Sequence, residues 1–171
     1  NLLTYTPYDK ELDYLGTLGI RPEDANSFID KPRETDEEYY GHLDRIKDAA
    51  RLVHDEASKG SSFFVQVDAD ADGYTSSAIL ISYLRRRYEG INITYRLHDG
   101  KQHGIIIDTV PSYVNVVIIP DAGSNQCAEH RELIAMGKKV VVLDHHEYEN
   151  VGYSDYAIYV DNQTSPNYPN K

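Results

Sequence analysis

Short apolar runs alternate with helix-period segments along most of this chain. Phe63–Val67 (broken only by Gln66), Val116–Ile119, Val140–Leu143 and Ala157–Val160 are brief and nearly continuous, while Ile91–Leu97 alternates apolar with polar positions. Such runs predict strands, and the continuous ones predict strands covered on both faces, as in a parallel sheet. Leu43, Ile46, Ala50, Val53 and Ala57 recur at three- and four-residue spacing. They predict a helix that begins near Thr35, carries Asp36, Glu37 and Glu38 in its first turn, and ends at Lys59-Gly60. Gly73–Tyr88 reads as a loop entering a helix, with Ala78, Ile81 and Leu84 inward and Arg85, Arg86 and Arg87 as a solvated C-terminal end. Cys127–Met136 reads as a helix stopped by Gly137. Residues 1–34, with Pro7, Pro22 and Pro32, read as short helical pieces and loops, and Asn162–Lys171 as loop. The alternation predicts an α/β fold: a mostly parallel sheet of about five strands with helices on both faces.

A length of 171 residues suits one domain; a chain of that size buries roughly 70% of its extended surface. No apolar stretch approaches the ~18 residues of a membrane span. Asn1-Leu2-Leu3-Thr4 shows no signal-peptide pattern and no initiating Met, which points to processing or to an excised piece. The single cysteine, Cys127, excludes an internal disulfide and a cysteine-rich zinc site and fits a reducing, cytoplasmic setting. A formal net charge of −11 repels phosphate backbones. Divalent ions could reverse that field locally, because a bound ion is often the largest charge in its site.

Candidate metal chemistry sits at three strand ends. Asp68, Asp70 and Asp72, followed by Gly73, come directly after the Phe63–Val67 run. Their i, i+2, i+4 spacing brings the carboxylates to one side if the backbone stays extended. Crowded carboxylates repel unless they are protonated or bind a cation, and hard oxygen donors favour Mg, Mn or Ca. A calcium loop of EF-hand type also opens this way, but it needs a glutamate at its twelfth position, here Ile79, and an entering helix rather than a strand. Asp121 follows the next apolar run; alone it would read as a turn residue. Asp144-His145-His146 follows Val140–Leu143, and imidazole shifts the preference from Mg towards Mn, Fe or Zn. In open α/β sheets ligands bind outside the carboxyl ends of the strands, so the three sites are placed to share one crevice.

With these motifs in their order, the chain resembles the DHH phosphoesterase superfamily, and within it the RecJ-type single-strand-specific DNA exonucleases. Gln66–Gly73 resembles the family's first motif, Asp121 its second and Asp144–His146 its third. Leu18–Ile29 and the Leu43–Val53 helix resemble the lead-in, His98–Gly104 stands where the family has an Arg-containing segment ending in Gly-Tyr-Gly, and Asn162–Pro169 resembles the stretch after the third motif. The resemblance implies hydrolysis of phosphodiesters with two Mn2+ or Mg2+ ions. It implies Asp70 on the first ion, Asp72 and His145 on the second, and Asp121 bridging both. His146 would contact the scissile phosphate, Asp144 would orient the histidines, and Asp68 would serve as ligand or support. His98, Lys101 and His103 would contact substrate phosphates. It further implies single-stranded nucleic acid as partner, replication or repair proteins around it, and a fourth-motif aspartate and a substrate-binding domain beyond residue 171. One departure stands out: the family's first-metal histidine is replaced here by Gln66, a poorer ligand. Two other readings stay open: a DHH phosphodiesterase acting on oligoribonucleotides or cyclic dinucleotides, and a catalytically inactive DHH scaffold.

Overall fold

A computed structural model of the chain describes residues 42–147, 149 and 157–168, all within the compact unit Tyr39–Lys171. The readings made for residues 1–41 lie outside the described residues, as does the end of the chain from residue 169. Among the described residues three α-helices and five strands follow one another, with a short 3-10 turn at Ile107–Thr109: α1 (Ile46–Ser58), β1 (Ser62–Val67), α2 (Ala71–Arg87), β2 (Asn92–Leu97), β3 (Val116–Pro120), α3 (Cys127–Ala135), β4 (Lys139–Asp144) and β5 (Ile158–Asp161). The strands form one sheet in the order β2-β1-β3-β4-β5, every pair parallel. The chain starts at the second position, steps outward to β2, then crosses back to β3. The reversal between β1 and β3 opens a crevice at the carboxyl ends of those two strands.

Period-two alternation divides the strand residues between two cores. Phe63, Val65, Val67, Val116, Ile118, Val141, Ile158 and Val160 pack with α1 and α2 through Ala49, Ile81 and Leu84. Phe64, Val117, Ile119, Val140, Val142 and Tyr159 pack on the opposite face with Leu133 of α3. Covering both faces explains why β3 and β4 are almost uniformly apolar.

Two boundaries differ from the sequence expectation. The first described helix starts at Ile46, after a turn at 42–45 in which Arg45 adopts φ 59° and donates from Nη1 to Ala157 O at 3.1 Å. Helical periodicity at Leu43 therefore extends past the helix itself. The loop before α2 is short and earlier than expected: the strand ends at Val67 and the helix begins at Ala71, ahead of Gly73, with Asp70 as its N-cap.

On α3, His130 is fully buried and hydrogen-bonded through Nδ1 to the Tyr159 hydroxyl at 2.7 Å. Burial pushes its pKa from 6.5 down to about 4. The folded protein therefore keeps His130 neutral where the unfolded chain takes up a proton. This contribution to stability is complete above about pH 6.5 and is lost as pH falls towards 4. At about 1.36 kcal/mol per pH unit, the loss between pH 6.5 and 5 is about 2 kcal/mol. In urea unfolding at pH 7 and pH 5, the stability gap between wild type and His130→Gln should shrink by about that amount at the lower pH. A gap independent of pH would contradict a buried neutral imidazole.

Candidate metal centre

Each strand around the crevice ends in an acidic residue, and local backbone geometry decides where each carboxylate goes. After β1 the chain turns into α2 instead of continuing extended, so Asp68, Asp70 and Asp72 do not share one strand face. Asp68 stays in the crevice floor, 1% exposed; its Oδ1 accepts from Gly104 N at 3.0 Å and its Oδ2 from His103 Nδ1 at 2.6 Å. Asp70 caps α2 by accepting from Gly73 N at 3.1 Å, and this hydrogen bond is the main reason its pKa lies below the ordinary value. Asp72 sits in the first turn of α2, where the helix dipole favours negative charge. The tight entry into α2 needs glycine at 73, because a Cβ there would stand 2.6 Å from the Asp68 Cβ.

Asp121 terminates β3 in the left-handed region, φ 63°, an unusual conformation for a residue with a side chain. Its N–H donates to Leu143 O at 2.7 Å, which ties the turn to β4. The side chain is buried; Oδ1 lies 2.9 Å from His145 Nε2, and Oδ2 has no hydrogen-bond partner. Burial first, then the neighbouring Asp72 carboxylate, push the pKa of Asp121 up to about 6. His145 Nε2 also lies 3.7 Å from Asp72 Oδ2, so the imidazole stands between Asp121, which follows β3, and Asp72 in the first turn of α2.

The ligand atoms of Asp121, His145 and His146 lie within 4.8 Å of one another, as do those of Asp70, Asp72 and Asp121 and those of Asp68, Asp70 and His103. Asp121 and Asp70 each belong to two of the three groups. A buried carboxylate oxygen without a partner, crowded by like charges, is the signature of a place that accepts a cation. The mixed oxygen and imidazole donors suit a transition ion such as Mn better than Mg.

Asp144 lies behind these groups. Its Oδ1 accepts from His146 Nδ1 at 2.7 Å, from His145 N at 2.8 Å and from His146 N at 3.2 Å, and its Oδ2 accepts from Ser124 N at 2.8 Å. Burial, the largest single influence, would raise its pKa, but the hydrogen bonds together outweigh it and hold the group below the ordinary value. The same His146 bond raises the pKa of that imidazole. The structure thus places Asp144 where it orients His146, while the ring of His145 is aimed by its contact with Asp121.

Of the residues expected to meet substrate, Lys101 is exposed, and His103, with a side chain 60% exposed, lines a cleft of about 380 Å3 together with Asp68, Gly104, residues 122–126, Asp144 and His146. His98 corrects the expectation. Its side chain is fully buried, Nε2 3.7 Å from Asp68 Oδ1, so it cannot reach a bound strand. Gln66 is also buried, and its amide nitrogen donates to Arg96 O at 3.2 Å.

Sequence reasoning missed Ser124 and Asp161. Ser124 Oγ donates to Asp161 Oδ2 at 2.6 Å, and Asp161 is paired with Asp144 across β4 and β5. Asp161 follows the apolar run of β5 just as Asp121 follows that of β3, and that shared pattern was the available signal.

Comparison with known proteins gives consistent likenesses. The profile of the DHH family, N-terminal domain, matches residues 62–166. The chain is 50% identical over 133 residues to the SPbeta prophage-derived protein YorK of Bacillus subtilis, whose name describes a single-strand DNA-specific exonuclease; the match takes in 78% of this chain and 23% of that one. It is 33% identical over 109 residues to the single-stranded-DNA-specific exonuclease RecJ of Thermus thermophilus, covering 61% of this chain and 16% of RecJ. The chain thus spans about a quarter or less of the length of these relatives. Among solved structures, RecJ of Thermus thermophilus in complex with Mn2+ superposes with a TM-score of 0.63 at 26% identity, over 75% of this chain and 18% of that one. An exonuclease RecJ bound to manganese gives 0.64 at 27% identity, over 72% and 32%.

Replacing Ser124 by alanine leaves the buried Asp161 carboxylate without its hydroxyl donor, while the backbone bond to Asp144 persists. Ser124→Ala should cost about 1–3 kcal/mol in urea unfolding. An unchanged midpoint would show that Asp161 does not depend on Ser124.

Proposed function

The chain belongs to the DHH family, and from that premise we propose that it is the metal-dependent hydrolytic core of a RecJ-like exonuclease acting on single-stranded DNA. The observation that carries the reading is the convergence of Asp70, Asp72, Asp121 and His145 at the point where the sheet reverses direction. Asp121 would bridge two ions, with Asp70 on one and Asp72 and His145 on the other. Two divalent ions, Mn2+ or Mg2+, would there neutralise the phosphodiester and activate water for in-line attack.

The remaining roles belong to the chain's own groups. Asp144 holds His146 by Nδ1, which leaves Nε2 available to the scissile phosphate. The raised pKa of His146, caused first by that hydrogen bond, favours the positive imidazolium an anionic substrate needs. Lys101, exposed on the segment that leads to His103, would meet a neighbouring phosphate. With 17 Lys and Arg against 28 Asp and Glu, the chain carries no net attraction for a strand. We therefore place the gripping surface in polypeptide outside these residues, along with any contacts to replication or repair proteins. No helix among the described residues is long and apolar enough to cross a membrane, and we place the protein in the cytoplasm on the strength of its single cysteine.

The chain alone should bind Mn2+ and show weak Mn-dependent cleavage of labelled single strands, with dinucleotides cleaved no faster. Asp121→Ala should weaken that cleavage by at least about 100-fold, the upper end of what even outer-sphere changes cost a metal site. Preferential cleavage of dinucleotides would instead identify a small-substrate phosphodiesterase. Failure to bind Mn2+ at all would identify a catalytically inactive module.

A further inference from the structure

Gln66 stands where the family resemblance expects a metal-binding imidazole. Its amide nitrogen is turned to the backbone of β2, and its buried Oε1 offers only a neutral amide oxygen. An imidazole nevertheless reaches the same crevice from another part of the chain. One ligand atom each of Asp68, Asp70 and His103 lies within 4.8 Å of the others, and His103 Nδ1 stands 2.6 Å from Asp68 Oδ2.

The segment that presents His103 is clamped in place. Gly104 donates its N–H to Asp68 Oδ1 at 3.0 Å. Gln126 grips both backbone groups of Ile105, accepting from N at 2.6 Å and donating to O at 3.1 Å. Gly104 has φ +71°, and a Cβ there would lie 2.0 Å from Gln126 Oε1, so the clamp requires glycine. An independent observation comes from the buried side of Asp68. The His98 side chain is fully buried, neither ring nitrogen has a hydrogen-bond partner, and Nε2 points at Asp68 Oδ1 from 3.7 Å. A buried imidazole without a hydrogen-bond partner is costly, and this one faces the carboxylate that would hold the ion.

We propose that one ion of the pair is held by Asp68, Asp70 and His103, so that His103 supplies the imidazole that position 66 lacks. The ion takes the place of the proton that His103 Nδ1 shares with Asp68. Carboxylates with one imidazole favour Mn over Mg at this position. His103 is then a metal ligand and not a phosphate contact. This inference rests on the metal-dependent reading above, and the experiment separates the two.

Isothermal titration of the chain with MnCl2 should resolve two ions. His103→Ala should weaken one of them at least about tenfold and leave the other within about twofold, because the remaining groups belong to Asp121, His145 and Asp72. His103→Gln, which keeps a hydrogen-bonding side chain beside Asp68, should show the same loss, and circular dichroism melting should show both variants folded. Two unchanged affinities in the folded variants, or loss of both ions, would overturn the assignment. No Mn2+ binding by the wild type at millimolar concentration would overturn the metal-dependent reading itself.

Discussion

Asp70, Asp72 and Asp121 place three carboxylates within 4.8 Å of one another, and their mutual repulsion favours positive charge between them. The sheet forces the conflict. Its reversal between β1 and β3 brings Asp121, which follows β3, beside Asp70 and Asp72 at the start of α2. Protonation is one relief, and burial first, then the neighbouring Asp72 carboxylate, push the pKa of Asp121 up to about 6. His145, standing between Asp121 and Asp72, is a partial relief. A divalent cation is the complete one, and the unpartnered Asp121 Oδ2 is the atom it would satisfy.

Around that conflict hydrogen bonds fix Asp121, Asp70 and Asp68 in place. Asp121 sits in a left-handed turn fixed to β4 through Leu143. Asp70 is locked by capping α2, and Asp68 is locked between Gly104 and His103. Behind the histidines, Asp144, Ser124 and Asp161 form a buried chain of hydrogen bonds that links the turn after β3 to the ends of β4 and β5. Strain and buried charge are concentrated at one edge of the sheet, while the two apolar cores on its faces carry the stability. A site on strand ends over a packed sheet keeps its geometry better than one on loops alone.

The strands were legible because runs such as Val116–Ile119 and Val140–Leu143 have little alternative to burial on both faces. The crevice was legible because three of those runs end in Asp or His. What remained hidden depended on the third dimension. The Asp68–Asp72 run looked extended by its spacing, yet Asp70 followed three residues later by Gly73 is a helix entry, and capping won over strand continuation. The resemblance implies that His98 contacts a substrate phosphate; only the fold shows its side chain buried 3.7 Å from Asp68. Ser124 and Asp161 are separated by 37 residues and meet because β4 and β5 are neighbours. The turn at 42–45 interrupts a helical period that the apolar positions alone continue through.

Anomalous diffraction at the manganese edge, from crystals of the chain soaked in MnCl2, tests the central claim most directly. The account predicts two peaks about 4 Å apart in the crevice between β1 and β3, with Asp121 in contact with both. Peaks elsewhere on the molecule, or a crevice without manganese and with the Asp121 carboxylate hydrogen-bonded to its neighbours, would contradict it.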